Sequence, residues 1–173
     1  MDSIAIQVVT AALELKALTL PDAPALPGLT FRGFRGESDY PKMVAVIDGS
    51  KAADQVERSQ TVEEIARFYA HLTNSNPYED MLFPEVNGEV IGYTRVWWQT
   101  EEPATWVYSH LGFLLPAWRR KGIGRAMLRC NESRLRQIAA GHPSGGPRFF
   151  QAQAADTQAG TEALLLGEGY SAV

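Results

Sequence analysis

The chain has 173 residues, 45% of them apolar and 21% charged. This is the composition of one globular domain rather than of a disordered or disulfide-rich protein. The formal net charge of −4 does not indicate a nucleic acid or an anionic membrane as partner. The single cysteine, Cys130, cannot form an internal disulfide, which favours a cytoplasmic location.

The N-terminal region predicts neither a targeting signal nor a membrane anchor. Asp2 and Glu14 lie where a signal peptide would carry cations, and no apolar run approaches ~20 residues. Residues 4–13 mix two periodicities, so their secondary structure stays open. Four turn-forming residues then predict a linker: Pro21, Pro24, Pro27 and Gly28. We therefore expect residues 1–28 to form an extension and residues 29–173 to form the domain.

The first part of this domain predicts a strand followed by two helices. Apolar and polar residues alternate over 29–35, as in a half-buried strand. Asp39 as N-cap and Pro41 in the first turn predict a helix, and residues 49–59 a loop after it. The capping-box pattern Thr-x-x-Glu at 61–64 predicts the start of the second helix.

The second part predicts a run of strands and then alternating helices and strands. The Asn-Gly pair at 87–88 is a strong hairpin signal between strands. The later elements follow in order: strands at 81–86 and 89–98, a turn at 101–103, a strand at 104–114, a helix at about 122–140, a strand at 148–153, and a helix capped by Asp156 or Thr157 that ends at Gly167 or Gly169. This order predicts a mixed α/β fold with an antiparallel centre.

Positive charge is concentrated in one segment. Residues 119–136 contain seven cations and one acid, a net +6, which leaves −10 in the rest of the chain. In the same segment a strand ends and a helix begins with Gly122 and Gly124. The first-turn amides of a helix lack internal acceptors and lie at the positive end of its dipole, and glycines leave them accessible. The segment therefore predicts a pyrophosphate-binding site.

Two better-known phosphate motifs fit this segment less well. The pattern Gly-x-x-x-x-Gly-Lys-Ser/Thr of P-loop nucleotide sites is absent from the sequence. The dinucleotide fingerprint Gly-x-Gly-x-x-Gly fails because Met127 stands where its third glycine would be. A zinc site is not indicated either, because the three histidines lack metal-ligand spacing with one another or with Cys130.

The segment resembles the pyrophosphate loop of the GNAT superfamily of acyl-CoA-dependent N-acetyltransferases. Arg119-x-x-Gly122-x-Gly124 matches the loop, and Leu114-x-Pro116-x-x-Arg119 matches its lead-in. The element order over 29–170 also follows the family, and Gly169-Tyr170 resembles its Gly-Phe/Tyr element. The loop is similar as well to that of mycothiol synthase-like proteins, which carry two such domains in tandem.

The resemblance implies a GNAT-like fold: a central, mostly antiparallel sheet flanked by helices and splayed at the strand before the loop. It implies acetyl-CoA as cosubstrate and no metal. The backbone of three residues would face the pantetheine arm: Gly112, Phe113 and Leu114. The loop and the first helical turn would hold the pyrophosphate: Arg119, Arg120, Lys121, Gly122, Ile123, Gly124 and Arg125.

The resemblance further implies direct attack on the thioester by a primary amine of a small molecule or peptide. His110 has a suitable intrinsic pKa for the base, and Tyr108 or Ser109 could order a water. The family's acidic tyrosine falls on Leu165, which has no proton to donate. The alternative is therefore a catalytically weak or inactive CoA-binding module that supports another domain.

Other features bear on the acceptor and on partners. The acids Asp54, Glu57, Glu101 and Glu102 lie in segments that set the acceptor in the family and suit a cationic amine. Trp97 and Trp98 point to opposite faces of a strand, so one of them is expected at the acceptor pocket or at a chain contact. Arg129, Arg134 and Arg136 are expected on a solvated helix face. The sequence lacks the family's closing strands after Tyr170, so we expect a tandem domain or a second copy to complete the sheet.

Overall fold

The computed structural model describes residues 17–101 and 104–173. Their order confirms the predicted succession of elements, adds one short helix before the second strand, and divides the strand predicted at 89–98 into two. The strands are β1 (Leu29–Arg32), β2 (Met81–Val86), β3 (Glu89–Val90), β4 (Gly92–Glu101), β5 (Thr105–Leu114) and β6 (Arg148–Gln151). The helices are α1 (Tyr40–Asp54), α2 (Val62–Tyr69), α3 (Pro77–Asp80), α4 (Ile123–Ala140) and α5 (Ala159–Gly167).

The strands form one mixed sheet in the order β1-β2-β4-β5-β6, with β3 paired to β2. β4 and β5 are antiparallel over their full length, from Gly92 opposite Leu114 to Glu101 opposite Thr105. β6 joins the other side of β5 in parallel, and its last pair is Ser109 with Gln151. Beyond Ser109, β5 therefore has no partner on this side among the described residues, and the sheet is splayed as predicted.

The core lies on both faces of this sheet because side chains alternate along each strand. One face packs against α1 and α2 and includes Met43, Phe83 and Tyr93. The other face packs against α4, where Tyr108 and Leu135 are fully buried. The helices thus cover the sheet on both sides and leave the separating half of β5 between them.

The predicted loop at 49–59 is wrong in its first half, because α1 continues to Asp54. Gly49 is a helical residue, and its lack of a side chain serves packing. A Cβ at this position would lie 2.6 Å from Cδ2 of Leu115. The glycine thus allows the segment after β5 to pack directly on α1, which is a contact that local sequence does not reveal.

Two helix caps also differ from the prediction. Asp39 is the N-cap of α1, but its carboxylate accepts from the Arg32 guanidinium and the Arg35 amide instead of capping the helix. The last helix begins at Ala159 with Gln158 as N-cap, so neither Asp156 nor Thr157 caps it. The capping box of Thr61 and the hairpin turn at 87–88 are confirmed.

The described part of the N-terminal extension lies against the domain. Leu18 donates its amide to the carbonyl of Phe31 at 2.8 Å, and Leu20 and Leu26 pack on a core cluster. Residues 1–16 and the turn residues 102–103 lie outside the described part of the chain. Within residues 17–101 and 104–173, no helix is long and apolar enough to cross a membrane.

Candidate functional site

A cleft of about 630 Å³ lies between β5, the first half of α4 and α5. It extends from His110 on β5, past the loop at Arg120, to the end of α1 at Asp54. Most of the predicted site residues line it: His110, Gly112, Phe113, Leu114, Arg119, Arg120, Gly122, Gly124 and Arg125. The fold thus brings the splayed strand and the glycine-containing loop into one elongated cavity.

The N-terminus of α4 forms one end of this cleft. Gly122 is the N-cap with φ of 89°, a left-handed conformation that glycine adopts without strain. No side chain caps the helix, and the first helical hydrogen bond runs from the Ala126 amide to the Gly122 carbonyl at 3.1 Å. The amides of residues 122–125 precede this bond and are therefore available to an anion.

Arg119 shapes the loop rather than projecting a free charge into the cleft. Its guanidinium donates to both carboxylate oxygens of Asp54, at 2.6 and 3.1 Å, and to the carbonyl of Leu114 at 2.8 Å. Gln158 also donates to Asp54 at 3.1 Å. Asp54 therefore joins the end of α1, the loop and the start of α5.

The remaining cations of this segment divide into two groups. Arg120 and Lys121 are exposed and form no ion pair with any residue of the described chain, and Arg120 lines the cleft. The other arginines are paired, so the expected solvated face carries salt bridges: Arg125 with Glu168, Arg129 with Asp22 and Glu168, Arg134 with Glu79 and Asp80, and Arg136 with Glu132. Arg120 and Lys121 are thus the two cations of this segment that remain available to a ligand.

The unpaired half of β5 forms the wall between the loop and His110. Gly112 stands opposite Thr94 of β4, and a Cβ there would touch the Thr94 methyl group at 3.6 Å. Phe113 and Leu114 complete this wall and line the cleft. Because β6 has already separated, the outer backbone groups of this part of β5 have no strand partner among the described residues, although the Leu114 carbonyl already accepts from Arg119. They can accept and donate hydrogen bonds to an extended ligand.

His110 lies in the cleft and contacts Tyr170. Its Nε2 lies 2.8 Å from the Tyr170 hydroxyl. Burial lowers the pKa of His110 to about 4, so the imidazole is neutral at pH 7. Burial, together with the charge of Glu132 and a hydrogen bond to it, raises the pKa of Tyr170. The pair thus consists of two neutral rings, one of which reaches the cleft.

Three of the predicted residues lie outside the lining of the cleft. Tyr108 is buried against α4, and its hydroxyl lies 2.9 Å from Nδ1 of His142. The Ile123 side chain is buried in the core, although its amide belongs to the first turn of α4. Lys121 is exposed beside the cleft. Ser109, which could also order a water, instead donates to Gln151 at 3.2 Å.

Not all of the acids in the predicted acceptor segments are free to attract a cationic amine. Asp54 is neutralised by Arg119, Glu101 accepts from the Gln99 amide at 3.0 Å, and Glu102 lies outside the described residues. The prediction for the two tryptophans is confirmed in its geometry. Trp98 packs against Trp106 and His142, and Trp97 lies on the opposite face.

Sequence reasoning missed the contacts made by Tyr170 and Asp54. The Gly-Tyr pair was recognisable, but its hydroxyl meets a histidine 60 positions earlier. Asp54 meets Arg119 across 65 positions. Asp54 lay in a predicted loop, where no local pattern distinguishes a buried acid from a solvated one.

A splayed sheet beside an uncapped, glycine-containing helix N-terminus is the architecture of the GNAT acyltransferase fold. The model of the Acetyltransferase (GNAT) family matches residues 47–143, more than half of the chain. The chain therefore belongs to this family of transferases, as the resemblance predicted. The matched region includes the loop, both long central strands and α4.

Solved structures share the fold. A GCN5-related N-acetyltransferase from Sphaerobacter thermophilus superposes with a TM-score of 0.71 at 20% identity over 90% of this chain. The protein yncA from Salmonella typhimurium, solved with its cofactor acetyl-CoA, gives 0.62 at 20% identity, covering 84% of this chain and 81% of that one. An N-acetyltransferase from Staphylococcus aureus Mu50 gives 0.59 at 18% identity, covering 83% of each.

These similarities concern the fold alone, since the identities are low. This chain spans 45% of the length of the Sphaerobacter thermophilus protein. A comparison with curated proteins found no significant match.

Proposed function

We propose that this chain transfers the acetyl group of acetyl-CoA to a primary amine of a small molecule or peptide. The observation that carries the proposal is the shape of the cleft. One end is an uncapped helix N-terminus, which suits a pyrophosphate, and the wall is unpaired strand backbone, which suits an amide-containing arm. The two features lie in one continuous cavity, as an elongated acyl-CoA requires.

The residues present fit this cosubstrate. The amides of residues 122–125 would bind the pyrophosphate, and Arg120 and Lys121 would add long-range attraction. The backbone of residues 112–114 would hydrogen-bond the pantetheine arm. Bound acetyl-CoA would supply an activated acyl group, the thioester. Holding the amine in line with this group supplies most of the rate enhancement.

His110 is the base in this proposal, and its contacts define which nitrogen acts. In this proposal the Tyr170 hydroxyl is the acceptor in its contact with His110, and the nearby charge of Glu132 attracts the hydroxyl proton. The Tyr170 oxygen then accepts from Nε2–H of His110. A neutral imidazole carries one proton, so Nδ1 keeps its lone pair and takes the amine proton, directly or through a water.

A second candidate is a module that holds CoA without turnover. Leu165 lines the cleft at the position where the family often has an acidic tyrosine. A leucine there cannot protonate the leaving thiolate. The loop and the splayed strand are equally compatible with both candidates, so turnover decides between them.

The test is thiol release from acetyl-CoA over a panel of primary amines. We expect turnover in the wild type, and His110→Ala lowers kcat by about 10²–10⁴-fold while acetyl-CoA affinity is unchanged. His71→Ala is the matched control, because this exposed histidine lies near the end of α2 and away from the cleft. Acetyl-CoA binding without thiol release on any amine would establish the module instead.

We also propose a cytoplasmic location, which the lone cysteine supports, and a further chain or domain beside β6. Among the described residues, β6 pairs only with β5, and Phe149 on it is 58% exposed. Sedimentation of the full chain tests the second point. We expect the chain to dimerise and Phe149→Lys to weaken the dimer. An active chain that is strictly monomeric would contradict a second copy beside β6.

A further inference from the structure

Arg95 on β4 lies in a cage of three aromatic rings. Its Cζ is 5.0 Å from the ring centre of Phe68, 5.5 Å from Tyr69 and 4.9 Å from Trp97. The residue is only 7% exposed. The rings fix the guanidinium through cation–π contacts and exclude most of the surrounding water.

The hydrogen-bonding capacity of this guanidinium is unused within residues 17–101 and 104–173. Nε is buried without a partner, and the titratable neighbours are the neutral phenols of Tyr69 and Tyr93 rather than a carboxylate. Burial lowers the pKa of Arg95, as expected for a cation without a counter-ion, although arginine stays protonated at neutral pH. A buried charge of this kind is costly unless an anion pairs with it.

The cage lies next to the reaction cleft. Arg95 stands directly opposite Leu111 on β5, and both Leu111 and the neighbouring Thr94 line the cleft. Because side chains alternate, Thr94 points to the α4 face and Arg95 to the face covered by α1 and α2. Arg95 does not itself line the cleft, so only an acceptor that reaches the splay from the α1–α2 side would meet it. Phe68, which is 52% exposed, borders this approach.

We propose that Arg95 binds a carboxylate of the acceptor, so that the acceptor is an amine that also carries a carboxylate, as amino acids do. The inference rests on the proposed acetyl transfer and names its substrate class. A planar guanidinium pairs with a carboxylate through two parallel hydrogen bonds. One carboxylate balances the single charge of Arg95, whereas a dianionic phosphate would leave excess charge against three aromatic rings.

The test compares four amino acids (glycine, alanine, methionine and phenylalanine) with their own α-carboxamides in the thiol-release assay. We expect wild type to prefer the acids, and Arg95→Met to reduce the acid-to-amide ratio of kcat/KM by at least about tenfold. The kcat/KM for the amides stays within about threefold. Comparing ratios between proteins cancels the difference in amine basicity. An unchanged ratio overturns the proposal.

Two further variants make this comparison specific. Arg67→Met removes the same charge from an exposed position on α2, next to Phe68 but outside the cage, and we expect it to leave the ratio unchanged. Arg95→Lys keeps the charge and loses the fork, so it retains part of the preference. It also provides the answer if the methionine variant does not fold.

A binding measurement keeps this proposal separate from the proposed function. If no amine is acetylated, transfer itself has failed, and saturation-transfer NMR with N-acetylglycine and N-acetylglycinamide then tests the cage alone. A signal for the acid that exceeds that of the amide and disappears in Arg95→Met supports the carboxylate site. Equal signals, or a signal that the variant retains, overturn it.

Discussion

The hydrogen bond between His110 and Tyr170 is the contact on which the proposed chemistry depends at the scale of single residues. Both side chains are shielded from water, and neither ring carries a charge at neutral pH. A buried imidazole with both nitrogens unconstrained would divide its proton between them. In the proposed arrangement Nε2–H of His110 donates to the Tyr170 hydroxyl, which leaves Nδ1 basic.

Tyr170→Phe should therefore lower kcat without changing acetyl-CoA affinity. The phenylalanine keeps the ring that packs against His110 and removes the oxygen that fixes its tautomer. We expect a loss of about tenfold in kcat, less than that of His110→Ala. Steady-state kinetics as a function of pH provide the measurement. The low-pH fall of kcat should shift when His110 loses its hydrogen bond to Tyr170. An unaltered kcat and pH profile would show that Tyr170 only packs.

What the sequence predicted at this scale was local. Gly122 and Gly124 lie within three residues of each other. Their predicted role in phosphate binding follows from the helix that begins there. His110 could be nominated from its chemistry alone. Its low pKa could not, because it arises from burial in the folded chain.

At the scale of elements, Asp54 connects α1, the loop before α4 and α5. Its carboxylate is 9% exposed and binds Arg119 through two hydrogen bonds. Arg119 in turn holds the Leu114 carbonyl, so the end of β5 and the loop keep a fixed geometry. The position of the first-turn amides of α4 thus depends on an acid at the other side of the cleft.

Asp54→Asn should weaken acetyl-CoA binding by about tenfold and lower the free energy of unfolding by about 1–3 kcal/mol. The amide keeps the shape but loses the charge and one acceptor for Arg119. Calorimetric titration and urea unfolding measure the two effects. Asp48→Asn, an exposed acid on the same helix paired with Lys51, is the control. Equal acetyl-CoA affinity in the two variants would contradict this role of Asp54.

The elements themselves were largely predictable from sequence. The Thr61–Glu64 capping box and the Asn87–Gly88 turn specify their own geometry through contacts within a few residues. Gly49 misled because glycine usually interrupts a helix, whereas here it accommodates Leu115 from a distant segment. The error arose where tertiary packing determined the meaning of a residue.

At the scale of the whole molecule, a buried ion network connects the edge strand β1 to β2 and to the start of α1. Arg32 on β1 pairs with Asp39 at the start of α1 and with Glu85 on β2. Burial alone would raise the pKa of Asp39, but the Arg32 guanidinium and the Arg35 amide more than offset it and hold that pKa below its usual value. The network therefore depends on an ionised Asp39.

We expect acid to weaken this network. The folded pKa of Asp39 lies below its unfolded value, so its contribution is complete above about pH 4 and is lost as the pH falls further. Asp39→Asn should destabilise the fold at pH 7 by about 3–5 kcal/mol, because Arg32 stays buried with less charge opposite it. Urea unfolding at pH 7 and pH 3 measures both. If Asp39→Asn loses as much stability between the two pH values as wild type, another group is responsible.

The distribution of charge also has a different meaning in the folded molecule. Three of the seven cations of the +6 segment (Arg125, Arg129 and Arg134) connect α4 to α3, to the end of α5 and to the N-terminal segment through salt bridges. The loop and the charge count both predicted a phosphate site here, but the charge count overstated the number of cations that are free to serve it. In the proposed function, the pyrophosphate is held by the amides of residues 122–125, with Arg120 and Lys121 nearby.

Calorimetric titration of acetyl-CoA into wild type, Gly122→Asn and Gly122→Asp tests most directly whether this cleft binds the cosubstrate. Asparagine and aspartate have the same shape and tolerate the left-handed backbone of Gly122 similarly, so they differ in charge alone. We predict that the aspartate variant binds at least about tenfold more weakly than the asparagine variant, because it places a negative charge at the helix N-terminus that would hold the pyrophosphate. Equal affinities for the two variants would contradict the account.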